Sequence, residues 1–187
     1  MGNADADLMF VGEAPGAEED RQGLPFVGRA GKLLDELLDE IGMERRRDAW
    51  VCNVLKCRPP GNRDPQPDEI ESCRPYLERQ IQLIEPRVIC TLGNFATKLL
   101  TGSPTGITKV RGRPQEREVA GVPVVLYPLF HPAAALRTPA VLQQLRDDFA
   151  GIPELLAQER AAAEPPALAS VAAAPAPAEP PQLELLG

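Results

Sequence analysis

Three polar side chains follow predicted strands, and each has a type that can bind or activate a ligand. Glu13 comes directly after a short apolar strand, Asn53 lies near the end of the second strand, and His131 follows the last one. His131 is the only histidine of the sequence. Because the carboxyl ends of parallel strands meet at one rim of a sheet, we expect these three residues to line a common ligand site.

Apolar runs and helical spacing alternate along most of the chain. Short apolar runs predict strands at residues 7–12, 49–54, 86–93, 117–120 and 122–126. Apolar residues at helical spacing predict helices at residues 30–41, 67–84, 94–100 and 139–156. Strands that alternate with helices form mostly parallel sheets covered on both faces. We therefore expect an α/β fold with three αβα layers and a central, mostly parallel four-stranded sheet.

The charge of the chain is unevenly distributed. The net charge of −7 argues against a nucleic-acid partner when it is considered alone. However, residues 1–44 carry 11 acidic and 3 basic residues, whereas residues 45–117 carry 14 basic and 8 acidic residues. The basic middle segment can contact phosphate, although a solvated charged face is the alternative. The sequence contains neither a signal-peptide pattern nor an apolar run of about 20 residues, so we expect a cytoplasmic protein.

The composition changes near residue 158. Beyond this point alanine, proline and glutamate predominate, and such a segment cannot bury enough apolar surface to offset its ordering entropy. We expect a folded domain at residues 1–157, a disordered Ala/Pro-rich linker at residues 158–180, and a short apolar end at residues 181–187.

The turn at residues 12–16 (GEAPG) is the first of several motifs in order. It lacks the spacing of dinucleotide and phosphate loops, so a tight turn explains it when it stands alone. Together with GLPFVGRAG at residues 23–31, NVLKCRPPGNRDP at residues 53–65 and HPAAALR at residues 131–137, it resembles the uracil-DNA glycosylase superfamily, closest to its iron–sulfur branch, family 4. The resemblance implies a DNA repair enzyme that flips uracil out of DNA and hydrolyses its N-glycosidic bond, leaving an abasic site.

The resemblance implies a uracil site with seven residues: Gly12, Glu13, Ala14, Glu19, Phe26, Asn53 and His131. Phe26 would stack on the flipped base, although a core phenylalanine is the simpler interpretation without the family. The amide of Asn53 can accept a hydrogen bond from uracil N3–H and donate one to O4, a pattern that cytosine reverses. A turn residue at the end of a strand is the alternative for Asn53.

The expected catalytic residues are His131 and Glu13. A neutral imidazole at His131 would donate a hydrogen bond to uracil O2, where negative charge collects as the bond breaks. A turn histidine before Pro132 is the alternative. Ala14 stands where other branches of the superfamily carry a water-orienting polar residue, so Glu13 is the nearest carboxylate for that role. Glu19 is expected against C5 of the base, where it would exclude the methyl group of thymine.

The remaining site predictions concern DNA and metal. The expected DNA contacts are Arg58, Arg63, Lys109 and Arg111, together with Leu136 and Arg137, which would enter the minor groove and wedge the base stack. From spacing alone, the cysteines Cys52, Cys57, Cys73 and Cys90 are reduced core residues rather than disulfides.

The resemblance implies that Cys57 and Cys73 are two of four ligands of a 4Fe–4S cluster. In family 4 the other two ligands form a C-x-x-C pair ahead of the first strand, and the sequence has no cysteine there. We expect that the natural chain begins further upstream, and that a cluster held by two thiolates is unstable. An alternative function is therefore a uracil- or DNA-binding module without turnover. A nucleotide-binding oxidoreductase is disfavoured because no dinucleotide fingerprint is present.

The apolar end of the chain suggests a protein partner. Residues 182–186 (QLELL), which begin with Gln182 and end with Leu186, are similar to the pentapeptide that binds the bacterial sliding clamp. A chance apolar end is the alternative. Otherwise we expect a monomer whose partner is uracil-containing DNA, with no membrane association.

Overall fold

A twisted sheet lies at the centre of the computed structural model, which describes residues 1–163. In this part of the chain the strand order is β2-β1-β3-β5-β4. The strands are β1 (Leu8–Gly12), β2 (Ala49–Asn53), β3 (Val88–Leu92), β4 (Gln115–Val119) and β5 (Val122–Leu129). The pairs β2-β1, β1-β3 and β3-β5 are parallel, and β4 pairs antiparallel with β5. The α/β class and the mostly parallel sheet are confirmed, but the sheet has five strands rather than the four expected.

The fifth strand results from a hairpin at the edge of the sheet. Ala120 and Gly121 connect β4 to β5, and both have positive φ angles, 55° and 81°. Two such residues form the tight turn whose twist matches paired antiparallel strands. The exposed residues Glu116, Arg117 and Glu118 place charges along β4, which discourages pairing with another chain at this edge.

Nine α-helices accompany the sheet within residues 1–163. They are α1 (Ala17–Gln22), α2 (Arg29–Glu40), α3 (Arg45–Asp48), α4 (Pro67–Ile84), α5 (Asn94–Thr101), α6 (Ile107–Val110), α7 (Pro132–Ala135), α8 (Pro139–Ala150) and α9 (Ile152–Ala163).

The four-residue helices α3, α6 and α7 were not predicted, and the longer helices differ from the sequence prediction at two places. The segment between the strand predicted at residues 7–12 and the helix predicted at residues 30–41 contains α1, which has three acidic residues in its first turn and ends at Gly23 with a φ of 69°. The single last helix expected at residues 139–156 is divided into α8 and α9 at Gly151. Pro153 lacks the N–H that a continuous helix would need, which explains the break.

The core has two parts, one on each face of the sheet. Leu8 and Phe10 of β1 belong to one cluster, which also contains the inward leucines of α2 and Phe149 of α8. Met9 and Val11 belong to the other, with Leu77 and Ile81 of α4 and Ile89 of β3. Successive side chains of a strand point to opposite faces, so this division confirms three layers with the sheet in the middle.

The described part of the chain ends with α9. This helix continues to Ala163, so the first residues of the linker expected at residue 158 are helical. The tail segment at residues 182–186 lies outside the described residues. Within residues 1–163, no helix combines the length and apolar character needed to cross a membrane.

Candidate functional site

Gly12, Phe26, Asn53 and His131 converge at the carboxyl edge of the sheet, and we call them the rim cluster. Gly12 ends β1 and is paired in register with Asn53 at the end of β2. A Cβ atom placed on Gly12 would lie 2.4 Å from Asn53 Oδ1 and 2.7 Å from Phe26 Cζ. Contacts this short are forbidden, so glycine is required for the amide and the ring to approach the strand end together.

Phe26 and His131 face each other across the rim. Their ring centroids are 5.6 Å apart with an interplanar angle of 26°. Phe26 belongs to the loop between α1 and α2, whereas His131 directly precedes α7. The structure therefore brings together Phe26, Asn53 and His131, three of the seven residues predicted for the uracil site.

The side chain of Asn53 carries an unsatisfied buried acceptor. Asn53 is 5% exposed, and its Oδ1 atom has no hydrogen-bond partner among residues 1–163. Leaving a buried acceptor unpaired costs about 1–3 kcal/mol, which a ligand N–H can recover. The backbone of Asn53 is held separately, because Lys56 Nζ donates to its carbonyl oxygen and to Gln80 Oε1, at 2.7 Å each. The role of Lys56 was not predicted from the sequence.

His131 is held as a neutral imidazole with one defined tautomer. Its Nδ1 accepts a hydrogen bond of 3.1 Å from the backbone N–H of Ala133. An N–H group can only donate, so the proton of the neutral ring is on Nε2. Burial lowers the pKa of His131 to about 4, although nearby Glu19 opposes this effect. The ring therefore presents a neutral Nε2–H donor at pH 7.

Gly93 leaves room for this histidine. Its φ is 90°, and a Cβ atom placed on it would lie 3.1 Å from His131 Cβ. Gly93 also donates its N–H to the carbonyl oxygen of Leu129, at 2.9 Å, which joins the end of β3 to the end of β5. The histidine is thus positioned by backbone contacts on two strands.

Glu13 and Ala14 follow β1 beside the rim cluster. Val54 and Leu55 donate their N–H groups to the carbonyl oxygens of Gly12 and Glu13, both at 2.9 Å, and so extend the pairing of β1 with β2. Burial, followed by the nearby charge of Asp64, raises the pKa of Glu13. Ala14 packs against the core on the α4 side and offers no polar group. Glu13 remains the residue predicted to orient the attacking water.

Glu19 binds the loop that carries Phe26. Its Oε1 accepts hydrogen bonds from the N–H groups of Val27, at 3.1 Å, and Gly28, at 2.9 Å. A Cβ atom placed on Gly16 would lie 2.7 Å from Glu19 Oε2, so the carboxylate fits closely between two glycines. The predicted contact of Glu19 with C5 of a base remains a prediction, and the contacts with the loop are an addition to it.

Two of the predicted DNA-binding arginines have carboxylate partners within the protein. Arg63 makes two hydrogen bonds to Glu69, of 2.8 and 2.7 Å. Arg111 pairs with Asp148 at 2.9 Å, and its guanidinium lies 5.5 Å from the centre of the Phe130 ring. Arg111 thereby supports the residue that precedes His131, a role that sequence reasoning missed.

Of the other predicted DNA-binding residues, Arg58 is partly buried, whereas Lys109, Leu136 and Arg137 are exposed. Arg58 donates to Asn62 Oδ1 at 2.6 Å, and Lys109 is exposed on α6. Leu136 is 44% exposed, and Arg137 beside it is also exposed. Both residues directly follow α7, so an exposed apolar side chain and an exposed cation come shortly after His131 in the sequence.

The cysteines divide into two pairs. Cys52 and Cys90 are buried in the sheet, and burial raises the pKa of both thiols, as is typical of core cysteines. Cys57 and Cys73 both line a cavity of about 210 Å³ between α4 and the proline-rich loop, which we call the cysteine cavity. The N–H of Lys56 lies 3.4 Å from Cys73 Sγ and donates to it.

The cysteine cavity holds two of the four thiols that a 4Fe–4S cluster would need. Such a cluster is held by four cysteine thiolates, and hydrogen bonds to sulfur are common around it. Two thiols that share one cavity satisfy half of this requirement. Within residues 1–163, no group of three or more His, Cys, Asp and Glu side chains is placed to hold a metal ion. The described residues therefore do not form a complete cluster site.

Known proteins with a similar sequence point to one family. The family model of the uracil DNA glycosylase superfamily matches residues 1–150. A type-4 uracil-DNA glycosylase of Saccharolobus solfataricus is 46% identical over 162 residues, which are 84% of this chain and 75% of the relative. The type-4 enzyme of Archaeoglobus fulgidus is 46% identical over 86% of this chain and 82% of its own. That of Thermotoga maritima is 51% identical over 73% of this chain and 69% of its own.

Proposed function

The chain belongs to the uracil DNA glycosylase superfamily, and on this basis we propose that it removes uracil from DNA by hydrolysing the N-glycosidic bond, which leaves an abasic site. The observation that carries this proposal is the buried, unpaired Asn53 Oδ1 beside Phe26 and the neutral His131. An acceptor, an aromatic face and a neutral donor are the groups that a flipped uracil requires.

Recognition of the base depends on Phe26 and Asn53. Extruding a base from the stack costs a few kcal/mol, which stacking on an aromatic ring can offset. Uracil N3–H satisfies Asn53 Oδ1, and uracil O4 accepts from the Asn53 amide N–H. Cytosine has an acceptor at N3 and a donor at C4. Asn53 Oδ1 would therefore face an acceptor, and the Asn53 amide N–H would face a donor. The site therefore favours uracil over cytosine.

Bond breaking depends on His131. As the bond between C1′ and N1 lengthens, its electron pair moves into the uracil ring and negative charge develops at O2. The Nε2–H of a neutral imidazole donates to O2 and stabilises this charge more strongly in the transition state than in the ground state. Because Nδ1 is already bonded to the N–H of Ala133, the ring needs no reorientation before the reaction.

Water addition completes the hydrolysis. The deoxyribose carbon C1′ becomes electron-poor, and water supplies the new oxygen while losing a proton. Glu13 is the proposed acceptor or orienting group for this water, since burial raises its pKa towards the range useful for a general base. Ala14, next to it, contributes no polar atom.

We also propose that Cys57 and Cys73 are two ligands of a 4Fe–4S cluster whose other ligands come from outside the described residues. Met1 and Val51 exchange two backbone hydrogen bonds, so the first residues run antiparallel to β2. Residues joined ahead of Met1 would continue along β2 towards the loop that carries Cys57. A bound cluster would anchor this loop.

The cluster proposal has a direct measurement. A chain extended upstream with a C-x-x-C pair should bind about four irons and absorb at about 400 nm. The same extended chain with both Cys57→Ser and Cys73→Ser should do neither. An extended chain that takes up no iron under anaerobic reconstitution would contradict the proposal.

The DNA surface proposed around this site comprises Leu136 and Arg137 as the wedge, with Lys109 and Arg58 as phosphate contacts. DNA that contains uracil is the proposed partner, and the proposed location is the cytoplasm.

We also propose that residues 182–186 bind the sliding clamp. Deleting residues 181–187 should abolish binding of the chain to the sliding clamp without changing uracil release. Unchanged binding to the clamp would contradict this proposal.

Release of free uracil from a uracil-containing oligonucleotide tests the main proposal. The protein should release uracil and leave an alkali-labile abasic site, and His131→Ala should lower the rate strongly. The incomplete cysteine site favours one alternative, a uracil- or DNA-binding module without turnover. Binding of the oligonucleotide with no release of uracil would support that alternative and reject the enzyme.

A further inference from the structure

Phe26 has an unusual backbone conformation for an aromatic residue. Its φ is 55°, in the left-handed region that side chains rarely adopt. Phe26 is nevertheless buried, and its ring faces His131. A conformation of this kind persists only where surrounding groups stabilise it. The contacts that hold this residue are therefore of functional interest.

The peptide group that follows Phe26 is held at both ends by charged side chains. Arg45 Nη1 donates to the carbonyl oxygen of Phe26 at 2.9 Å. Glu19 Oε1 accepts from the N–H of Val27 at 3.1 Å. The carbonyl and this N–H belong to one planar peptide group, so the two bonds fix its orientation. Arg45 comes from α3 and Glu19 from α1, on either side of the loop.

Arg45 is a buried residue whose guanidinium makes several contacts close to Phe26. It is 6% exposed, its Nη2 donates to the carbonyl oxygen of Gly31 at 2.8 Å, and it pairs with Asp35 at 2.7 Å. A Cβ atom placed on Gly31 would lie 1.8 Å from the Phe26 carbonyl oxygen. The glycine therefore allows the loop to fold against the first turn of α2, where one guanidinium can reach both carbonyl groups.

We propose that Arg45 and Glu19 are positioning residues that hold the Phe26 ring in the orientation for stacking on the flipped base. This inference rests on the proposed uracil release and assigns neither residue a contact with the reacting atoms. Both act through the peptide that follows Phe26. A ring held in advance loses little freedom when the base enters, and small misplacements of a binding group lower rates strongly.

A double-mutant cycle tests this dependence. Arg45→Met should lower kcat/KM for uracil release by about 10- to 100-fold in the otherwise unchanged protein. In a Phe26→Ala background the same substitution should change kcat/KM by less than about twofold, because the ring it positions is gone. Arg46→Met removes an exposed arginine from the same helix and serves as the control with unchanged activity. Equal losses in both backgrounds, or no loss in either, would overturn the proposal.

Glu19 provides a matched pair of variants. Glu19→Gln keeps an oxygen that can accept the N–H bonds of Val27 and Gly28, whereas Glu19→Ala removes it. The alanine variant should have a kcat/KM about tenfold lower than the glutamine variant, and this difference between the two should be seen only when Phe26 is present. Equal losses in the two variants would show that the hydrogen bonds are not what matters.

Hydrogen exchange tests the contacts without relying on activity. The Val27 and Gly28 amides should exchange faster in Glu19→Ala than in Glu19→Gln, while amides of β1 and β3 remain protected in both. Arg45→Lys, which keeps the charge, replaces Arg45→Met if the methionine variant does not fold. If the unchanged protein released no uracil, the proposed function would fail, while the exchange result would still decide whether Glu19 holds the loop.

Discussion

The rim cluster and the cysteine cavity differ in how they are supported and in how many groups the described residues bring together. Every group of the rim cluster comes from the end of a core strand or from a loop bound to the core, and its buried Asn53 Oδ1 has no hydrogen-bond partner within the described part of the chain. The cysteine cavity brings together only two thiols on a proline-rich loop and the adjoining α4. The rim cluster is therefore supported by the sheet itself, whereas the described residues supply only two thiols to the cysteine cavity.

The largest effect that this contrast predicts is at His131. His131→Ala should lower kcat for uracil release by about 100- to 1000-fold, which is typical of the loss of a preorganised donor to a developing oxyanion. Single-turnover release of uracil measures it, and oligonucleotide binding should change far less. A loss below about tenfold would show that another group stabilises the departing ring.

Gly12 should give the next largest effect. In Gly12→Ala the new methyl group would meet Asn53 Oδ1 at 2.4 Å and the Phe26 ring at 2.7 Å, so one or both must move. We expect kcat/KM to fall about 10- to 100-fold with the fold retained. Kinetics together with circular dichroism check this. A fully active variant would mean that the amide and ring need not approach this closely.

The pH dependence of stability should depend on His131. Its folded pKa is about 4, below the ordinary value of 6.5, so the unfolded chain binds the proton first as pH falls. The free energy of unfolding should therefore decrease from about pH 6.5 down to about pH 4 through this group. In His131→Gln this part of the decrease should vanish. Denaturant titrations of both proteins at several pH values measure the difference, and parallel curves would contradict it.

The smallest effect should come from the cysteine cavity. If the rim cluster is supported by the sheet, Cys57→Ser and Cys73→Ser should change kcat of the 187-residue chain by less than about threefold. Cys52→Ser, a substitution in the buried sheet, is the comparison that should lower Tm. A collapse of activity in Cys57→Ser would mean that the two regions are coupled through the loop.

Much of the fold could be predicted from local patterns. The apolar runs identified β1, β2 and β3 to within two residues at each end, and helical spacing identified α2 and α4. The helix α1 was missed, because its six residues carry no apolar face; none of them is buried. Three acidic residues followed by Gly23 were the signal available for it. The break at Gly151 could have been found from Pro153.

The family resemblance and the strand ends predicted Phe26, Asn53 and His131, which the structure places close together. The contacts that hold these residues were not predicted. The contacts of Lys56 with the Asn53 carbonyl, and of Arg45 with the Phe26 carbonyl, were not foreseen. Both involve backbone acceptors, which every residue possesses, so the sequence carries no mark of the partner.

Residue types and their order alone determined the α/β class, the family, and the placing of Asn53 and His131 at strand ends, because these depend on periodicity and short motifs. Only the tertiary structure decided that Asn53 Oδ1 is unpaired within residues 1–163 and that His131 is neutral with its proton on Nε2. It also decided that Arg111 pairs with Asp148. Burial and hydrogen-bond partners depend on residues distant in the chain, and they are defined only when the chain is packed.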